Sequence, residues 1–186
     1  WRQQFNNGGY SLKLAGIHQS RPSAWPTTYV DSTVENRGMI GTTGEFQINP
    51  RWTAGWDILL QTDKNFSRSY RIEGFSELVE RSTIYLTGLN DRNYFDLRAY
   101  KFNVQERYLD SSPAARHKKQ PVVVPSLDYS YTVGAPVLGG ELNFDVNSQG
   151  INRREGMYGT KLSGLESTSA RFSAEAEWKR SFVTGG

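Results

Sequence analysis

The stretch from residue 138 to residue 147 alternates strictly between two kinds of side chain. Its first set of positions is Leu138, Gly140, Leu142, Phe144 and Val146, and its second set is Gly139, Glu141, Asn143, Asp145 and Asn147. Because successive side chains of a β-strand point to opposite faces, the stretch predicts a strand with one apolar and one polar surface. Such a strand separates a hydrophobic medium from a polar one.

Two further segments show the same alternation. Residues 52–61 alternate with Leu59 as the only exception, and residues 170–179 alternate throughout. An amphipathic helix would instead place apolar residues at i, i+3, i+4 and i+7, and none of the long segments shows a clean stripe of that kind. The sequence therefore predicts an all-β fold.

Composition narrows the choice among β folds. Only 37% of the residues are hydrophobic, whereas aromatic residues make up 13% and glycine occurs 18 times. A transmembrane β-barrel has an apolar outer band, a polar lumen and aromatic girdles, and each strand crosses the membrane in about 9–11 residues. This composition favours an antiparallel transmembrane β-barrel over a soluble β-sandwich, which would need a larger apolar share at this length.

The order of strands and connections supports a barrel wall. Eight strands are predicted, near residues 9–17, 37–48, 51–62, 78–89, 93–105, 121–133, 137–147 and 169–180. Turn-forming residues at 49–50, 90–92 and 134–136 predict short connections, whereas residues 18–36, 63–77, 106–120 and 148–168 form long polar ones. Short periplasmic turns that alternate with long external loops are typical of outer-membrane barrels. We interpret residues 1–186 as part of one barrel domain without an internal boundary.

Other features argue against catalysis. The net charge of +3 is spread over the chain, and cysteine is absent. His18 and His117 fall in predicted long loops without metal-ligand spacing, and the same-face pair Glu175 and Glu177 follows from strand periodicity. We expect no enzymatic activity and no nucleic-acid partner. Because the chain starts at Trp1 in mid-pattern, we expect it to be a piece of a longer or processed protein.

The polar positions of the predicted strands are the candidate functional residues. We expect eight side chains to face the lumen: Asp57, Asp96, Arg98, Glu141, Asn143, Asp145, Arg171 and Glu175. Three aromatic residues near strand ends are predicted to lie at the membrane interface: Trp52, Tyr131 and Trp178. The alternative for these rings is ordinary packing against a neighbouring sheet or plug.

Several blocks of the sequence resemble the LptD family, the lipopolysaccharide-assembly proteins of Gram-negative outer membranes, in the alphaproteobacterial form. The resemblance is most specific over residues 83–147, in the blocks 83–102, 121–131 and 136–142. Upstream, the residues Arg37-Gly-Met-Ile-Gly41 and Trp56-Asp-Ile58, followed by Tyr70, are similar to preceding strands of that family. The family barrel contains many more than eight strands, so the resemblance implies that this chain forms an incomplete section of the barrel.

The resemblance also implies a function and partners. It implies an outer-membrane translocon that inserts lipopolysaccharide into the outer leaflet, with no cofactor, an LptE-like lipoprotein plug and an LptA-like periplasmic bridge reached through a preceding domain. The basic run Arg116-His-Lys-Lys119, with Arg107, would attract lipopolysaccharide phosphates if its loop lies at the cell surface, and a solvated loop is the alternative. A porin or diffusion channel and, third, a soluble carbohydrate-binding β-domain remain as alternative functions.

Overall fold

The computed structural model describes residues 1–109, 119–153 and 167–182. These residues form one nine-stranded antiparallel sheet in which each strand pairs with its neighbour in sequence. The strands are β1 Arg2–Phe5, β2 Gly8–His18, β3 Asn36–Asn49, β4 Trp52–Gln61, β5 Val79–Asn90, β6 Asn93–Val104, β7 Val122–Thr132, β8 Glu141–Arg153 and β9 Ser167–Lys179. The predicted all-β antiparallel fold is confirmed, and all eight predicted strands are present.

The first strand and the start of β8 differ from the sequence-based prediction. The short strand β1 was not predicted, because four residues are too few to show an alternation. Strand β8 begins at Glu141 rather than at residue 137, because Leu138 and Gly139 adopt positive φ angles of 50° and 76° in a turn closed by Val137 and Gly140. Leu138 is 84% exposed in that turn, so its predicted strand position is wrong.

The other end of the last hairpin also differs. Strand β8 continues to Arg153 and β9 begins at Ser167, so the predicted long connection 148–168 shortens to residues 154–166, which lie outside the described residues. His18, predicted in a loop, is the last residue of β2. Its Nδ1 is 2.9 Å from Oδ1 of Asn36, the residue paired with it on β3.

Short and long connections alternate along the sheet. The short turns join β1 to β2, β3 to β4, β5 to β6 and β7 to β8, so they all lie at the same end of the antiparallel sheet. In one of them the Oδ1 atom of Asn49 accepts hydrogen bonds from the backbone N–H groups of Arg51 and Trp52. In another, Asp91 adopts a φ of 52°, a conformation that Asp tolerates better than most residues. We call this the short-turn end and the opposite one the long-loop end.

The helices of the described residues all lie in the long connections. Two short 3₁₀ helices, Pro22–Ala24 and Val30–Ser32, follow β2, and one α-helical turn, α1 Phe66–Ser69, follows β4. Within the described part of the chain, none of the helices has the length and apolar character needed to cross a membrane. Helix contributes little to this fold.

A small hydrophobic core lies at the long-loop end. Met39 of β3 and Leu59 of β4 pack with Phe66 and Phe75 from the connection between β4 and β5. This connection, residues 62–78, therefore folds back over one face of the sheet, and we call it the docked loop. Its packing explains why Leu59 is apolar at a position where the alternation calls for a polar residue.

Two polar networks anchor the docked loop. The guanidinium of Arg37, with a side chain only 1% exposed, donates to Asp63 at 2.8 and 2.9 Å and also to Asp31 of the preceding loop. Gln105, 1% exposed, donates to the carbonyl oxygens of Phe75 and Glu77 and accepts a hydrogen bond from Ser67. Buried polar groups of this kind are costly unless paired, so the networks specify how the loop docks.

The first and third long connections also meet at the long-loop end. Tyr29 and Tyr108 form an isolated antiparallel bridge, and the backbone N–H groups of Val30 and Leu109 donate to the carbonyl oxygens of Arg107 and Thr28. The long-loop end is therefore a layer of packed segments above the sheet.

Candidate functional site: the two faces of the sheet

The strand register places the predicted lumen-facing residues on one face. Directly paired residues of neighbouring strands point to the same side of a sheet, so each row of pairs can be followed across strands. One row joins Asp96 to Asp128, Asn147 and Ser173, and the next row on that side joins Arg98 to Ser126, Gln149 and Arg171. All eight predicted residues lie on the same side of the sheet when the rows are followed in this way, and we call this side the polar face. The eight residues are Asp57, Asp96, Arg98, Glu141, Asn143, Asp145, Arg171 and Glu175. That this face lines a lumen stays a prediction.

Hydrogen bonds connect the polar side chains in the middle of this face. Asp96 accepts from the Arg98 guanidinium at 2.6 Å and from the Tyr94 hydroxyl at 2.8 Å. Arg98 also lies over the Tyr85 ring, 5.1 Å from its centroid, and the Tyr85 hydroxyl donates to Glu45 at 2.6 Å. The network crosses from β3 to β6, so these charges are held in fixed positions.

A second ionic group lies at the short-turn end. Arg92, in the turn between β5 and β6, donates to both carboxylate oxygens of Glu141 at 2.5 and 2.6 Å. Hydrogen bonding to this carboxylate raises the pKa of Arg92. Asn143 donates to the same carboxylate at 3.2 Å. The bidentate pair joins the β5–β6 turn to the start of β8.

A broad concavity of about 890 Å³ opens on the polar face. Its lining includes the guanidinium groups of Arg2, Arg81 and Arg98 and the carboxylates of Glu45 and Asp57. Arg81 stacks on Tyr100, 5.6 Å from the ring centroid. Such a mixture of fixed donors and acceptors can hydrogen-bond sugar hydroxyls or a polar protein surface. Among the described residues, no group of three or more His, Cys, Asp or Glu side chains could hold a metal ion.

The opposite face, which we call the apolar face, carries a belt of aromatic rings near the short-turn end. Phe5, Phe46 and Trp56 follow one another with ring centroids 5.8 and 5.9 Å apart. A second series runs from Trp52 through Phe95 to Tyr129 and Tyr131, with spacings of 5.2, 6.3 and 6.3 Å.

The three predicted interface aromatics all lie in or beside this belt. The Trp52 ring covers Gly88, where a Cβ atom would lie 2.8 Å from the ring. The Trp178 ring covers Gly140 in the same way, and its Nε1 donates to the carbonyl of Val137 at 2.8 Å. An amphipathic ring at one level of an apolar surface is typical of a membrane interface, and that role stays a prediction.

The rest of the apolar face exposes large hydrophobic side chains. Paired residues Leu14, Ile40 and Leu60 form one row near the long-loop end, and each is at least 45% exposed. Phe172 of β9 is 70% exposed. A soluble monomer rarely exposes so large a continuous apolar surface, whereas a hydrocarbon environment favours it.

The predicted basic cluster is described only in part. Arg116, His117 and Lys118 lie outside the described residues, as does Arg154. Arg107 stacks on Tyr29 at 5.2 Å from the ring centroid. Phosphate binding by this loop therefore stays a prediction.

Sequence reasoning missed the residues that act across long distances in the chain. Arg37, Asp31 and Asp63 meet in one buried group, although no local pattern links them. Arg81 was also missed, although its position two residues before Thr83 on the polar side of β5 could have indicated it.

The comparison with known families decides the identity of this two-faced sheet. The model of the family described as LptD, LPS transport system D, matches residues 35–186, from the start of β3 through β9. The chain belongs to the LptD family. Among curated proteins, none matches it at a significant level. Membership assigns this LptD-family chain to lipopolysaccharide transport in the Gram-negative outer membrane, and its all-β sheet with one polar and one apolar face agrees with that assignment.

Proposed function

We propose that this chain forms part of the barrel wall of an outer-membrane translocon that inserts lipopolysaccharide into the outer leaflet. The observation that carries the proposal is the division of a single sheet into a polar face with fixed charges and an apolar face with an aromatic belt. In this proposal residues 1–186 belong to one barrel domain. The long-loop end faces the cell exterior and the short-turn end faces the periplasm.

The division suits the chemistry of the transported lipid. Lipopolysaccharide has acyl chains that must avoid water and a charged saccharide that must avoid hydrocarbon. Charged groups such as Arg98 and Asp96 offer the saccharide hydrogen bonds in place of water. The exposed side chains of Leu60, Ile84 and Phe172 offer the acyl chains an apolar surface. The wall therefore provides a separate environment for each part of the substrate.

The proposal includes two protein partners and no chemical reaction. An LptE-like lipoprotein plug would contact the polar face. The concavity there is lined by positively and negatively charged side chains, including Arg81 and Glu45, which can pair with charged groups of the plug. An LptA-like bridge would deliver lipopolysaccharide through a preceding periplasmic domain. We propose a transporter without enzymatic activity, because the polar side chains pair with one another across strands as a wall requires.

Depletion of the natural protein in its host tests the proposed function. The measurement is the fraction of newly made lipopolysaccharide that a modifying enzyme added outside the cell can reach. We expect that fraction to fall on depletion and to recover with the wild-type gene. A porin would give the opposite pattern, with normal surface lipopolysaccharide and slower uptake of small solutes, and that result would refute the proposal.

A further inference from the structure

The docked loop lies against the polar face of the sheet, at its long-loop end. Leu59 is two residues beyond Asp57 on β4, and residues two apart on a strand share a face. Leu59 is paired with Gly41 of β3, where an added Cβ atom would lie 2.4 Å from the Phe75 ring. The loop is therefore packed on the side of the charged residues, opposite the aromatic belt.

The docked loop extends from β4 across β3 to β2. At the β2 side, the ammonium of Lys13 donates to the backbone carbonyl of Glu73 at 2.7 Å. At the β4 side, the side-chain carbonyl of Gln61 accepts hydrogen bonds from the backbone N–H and the hydroxyl of Ser67 at 2.8 and 2.7 Å. Lys13 and Gln61 both occupy polar-face positions in the strand register. The loop therefore covers this face over three neighbouring strands.

Apolar and polar burial both oppose undocking of this loop. Phe66 and Phe75 are only 2% and 7% exposed, so undocking would return two aromatic rings to water. The buried amide of Gln105 donates to the carbonyl oxygens of Phe75 and Glu77, and undocking would leave it without these acceptors. The docked position is therefore favoured by two independent kinds of contact.

We propose that the docked loop is a fixed internal seal. It closes the long-loop end of the polar face over β2, β3 and β4 to water-soluble molecules, and it stays docked while lipid is transported. The concavity around Arg81 and Arg98 lies on the same face, nearer the short-turn end, so the seal separates this concavity from the opposite end of the wall. Polar groups that move along these strands therefore do not leave the face past the loop.

The inference rests on the proposed function for its orientation, because it takes the polar face to line the lumen and the long-loop end to face the exterior. A barrel with a polar, water-filled lumen lets small solutes cross the membrane, as porins do. A loop of the wall itself, packed on the polar face, prevents this leak over three strands without a second protein.

Labelling of a cysteine beneath the loop tests the seal in intact cells. Thr43→Cys places a thiol on the polar face two residues from Gly41, and a membrane-impermeant charged thiol reagent is added outside. We expect Phe75→Ala to raise the labelling rate by about tenfold or more, because loss of the buried ring weakens docking. Trp25→Ala, which removes a half-exposed ring from another long connection, is the control and should leave the rate unchanged. Equal rates in wild type, Phe75→Ala and the control would overturn the seal.

A covalent lock tests whether the loop stays docked during transport. Cysteines in place of Lys13 and Glu73, which are in contact at the β2 side of the loop, are joined by a short cleavable bismaleimide. We expect the locked protein to deliver newly made lipopolysaccharide to the cell surface at the same rate as the two single-cysteine controls treated with the same reagent. A loss of delivery that cleavage of the linker reverses would show that the loop must move. That result, or failure of the two cysteines to cross-link, would overturn the proposal.

The labelling experiment and the depletion experiment separate this inference from the proposed function. Loss of surface lipopolysaccharide on depletion, combined with a labelling rate that Phe75→Ala does not change, would reject the seal and leave the transport function standing. Normal surface lipopolysaccharide on depletion would reject the function, whereas faster labelling in Phe75→Ala would still support a loop that covers the polar face.

Discussion

Arg37 is the residue on which the long-loop end depends most. It forms salt bridges with Asp31 and Asp63, from two different connections, and its guanidinium lies 5.7 Å from the ring centroids of both Phe66 and Tyr70. One side chain thus holds two loops and two aromatic rings against the sheet. Loss of a partner from a buried ionic group is costly because the remaining charges stay desolvated.

We therefore expect Arg37→Leu to lower the free energy of unfolding by about 3–5 kcal/mol, because Asp31 and Asp63 would be left buried without their cation. Urea-induced unfolding in lipid vesicles measures the change. The control Arg51→Leu removes an exposed charge from a short turn and should leave the midpoint close to wild type. An Arg37→Leu midpoint equal to that of the control would show that the buried group does not stabilise the fold.

Gly41 permits the docked loop to approach the sheet. A Cβ atom at this position would lie 2.4 Å from the Phe75 ring, so Gly41→Val must displace that ring. Burial of a Phe side chain contributes about 1.5–3 kcal/mol, so undocking should accelerate tryptic cleavage at Arg68 and Arg71 by about tenfold or more. Gly134→Val, where nothing lies within 4 Å, provides the control. Unchanged cleavage in Gly41→Val would mean that the loop does not rely on this contact.

At the scale of the strands, alternation was enough to predict which face each side chain occupies. The residues from Phe144 to Asn147 fall on the expected sides, because a period of two leaves only two possible registers and exchanging them would expose charge to hydrocarbon. Alternation could not predict β1, which is too short, or the turn at Leu138, where backbone conformation overrides the pattern. It could not predict the role of Gln105 either, because its partners at Ser67 and Phe75 are about thirty or more residues away in the chain.

Adjacent residues of β9 test the two faces of one strand. Phe172→Arg places a charge on the apolar face, whereas Ser173→Arg places it on the polar face beside Asn147. An arginine in the hydrocarbon region of a barrel costs up to about 2–4 kcal/mol, so we expect only Phe172→Arg to lower stability and membrane assembly substantially. Urea titration of folded protein in vesicles and the yield of assembled protein provide the measurements. Equal losses in the two variants would contradict the assignment of faces.

For the molecule as a whole, the decisive property is that a single layer of β-sheet has a different solvent on each side. No closed hydrophobic core exists among the described residues apart from the small cluster around Met39 and Leu59. Apolar burial must therefore come largely from the membrane on one side. The cluster under the docked loop adds tertiary packing only at the long-loop end, so the two ends of the wall differ in how they are stabilised.

The difference between the two faces predicts which solvent each face contacts when the natural protein is inserted in lipid vesicles. The chain contains no cysteine, so spin labels on single introduced cysteines report one position each. Labels at Phe144 and Phe172 should be relaxed by a lipid-soluble paramagnetic agent, because both side chains lie on the apolar face. Labels at Asp145 and Ser173, one residue further along the same strands, should respond instead to a water-soluble agent, unless a bound plug covers them. Protection of Phe144 and Phe172 from the lipid-soluble agent would mean that protein rather than hydrocarbon covers the apolar face, and the barrel-wall function would then be refuted.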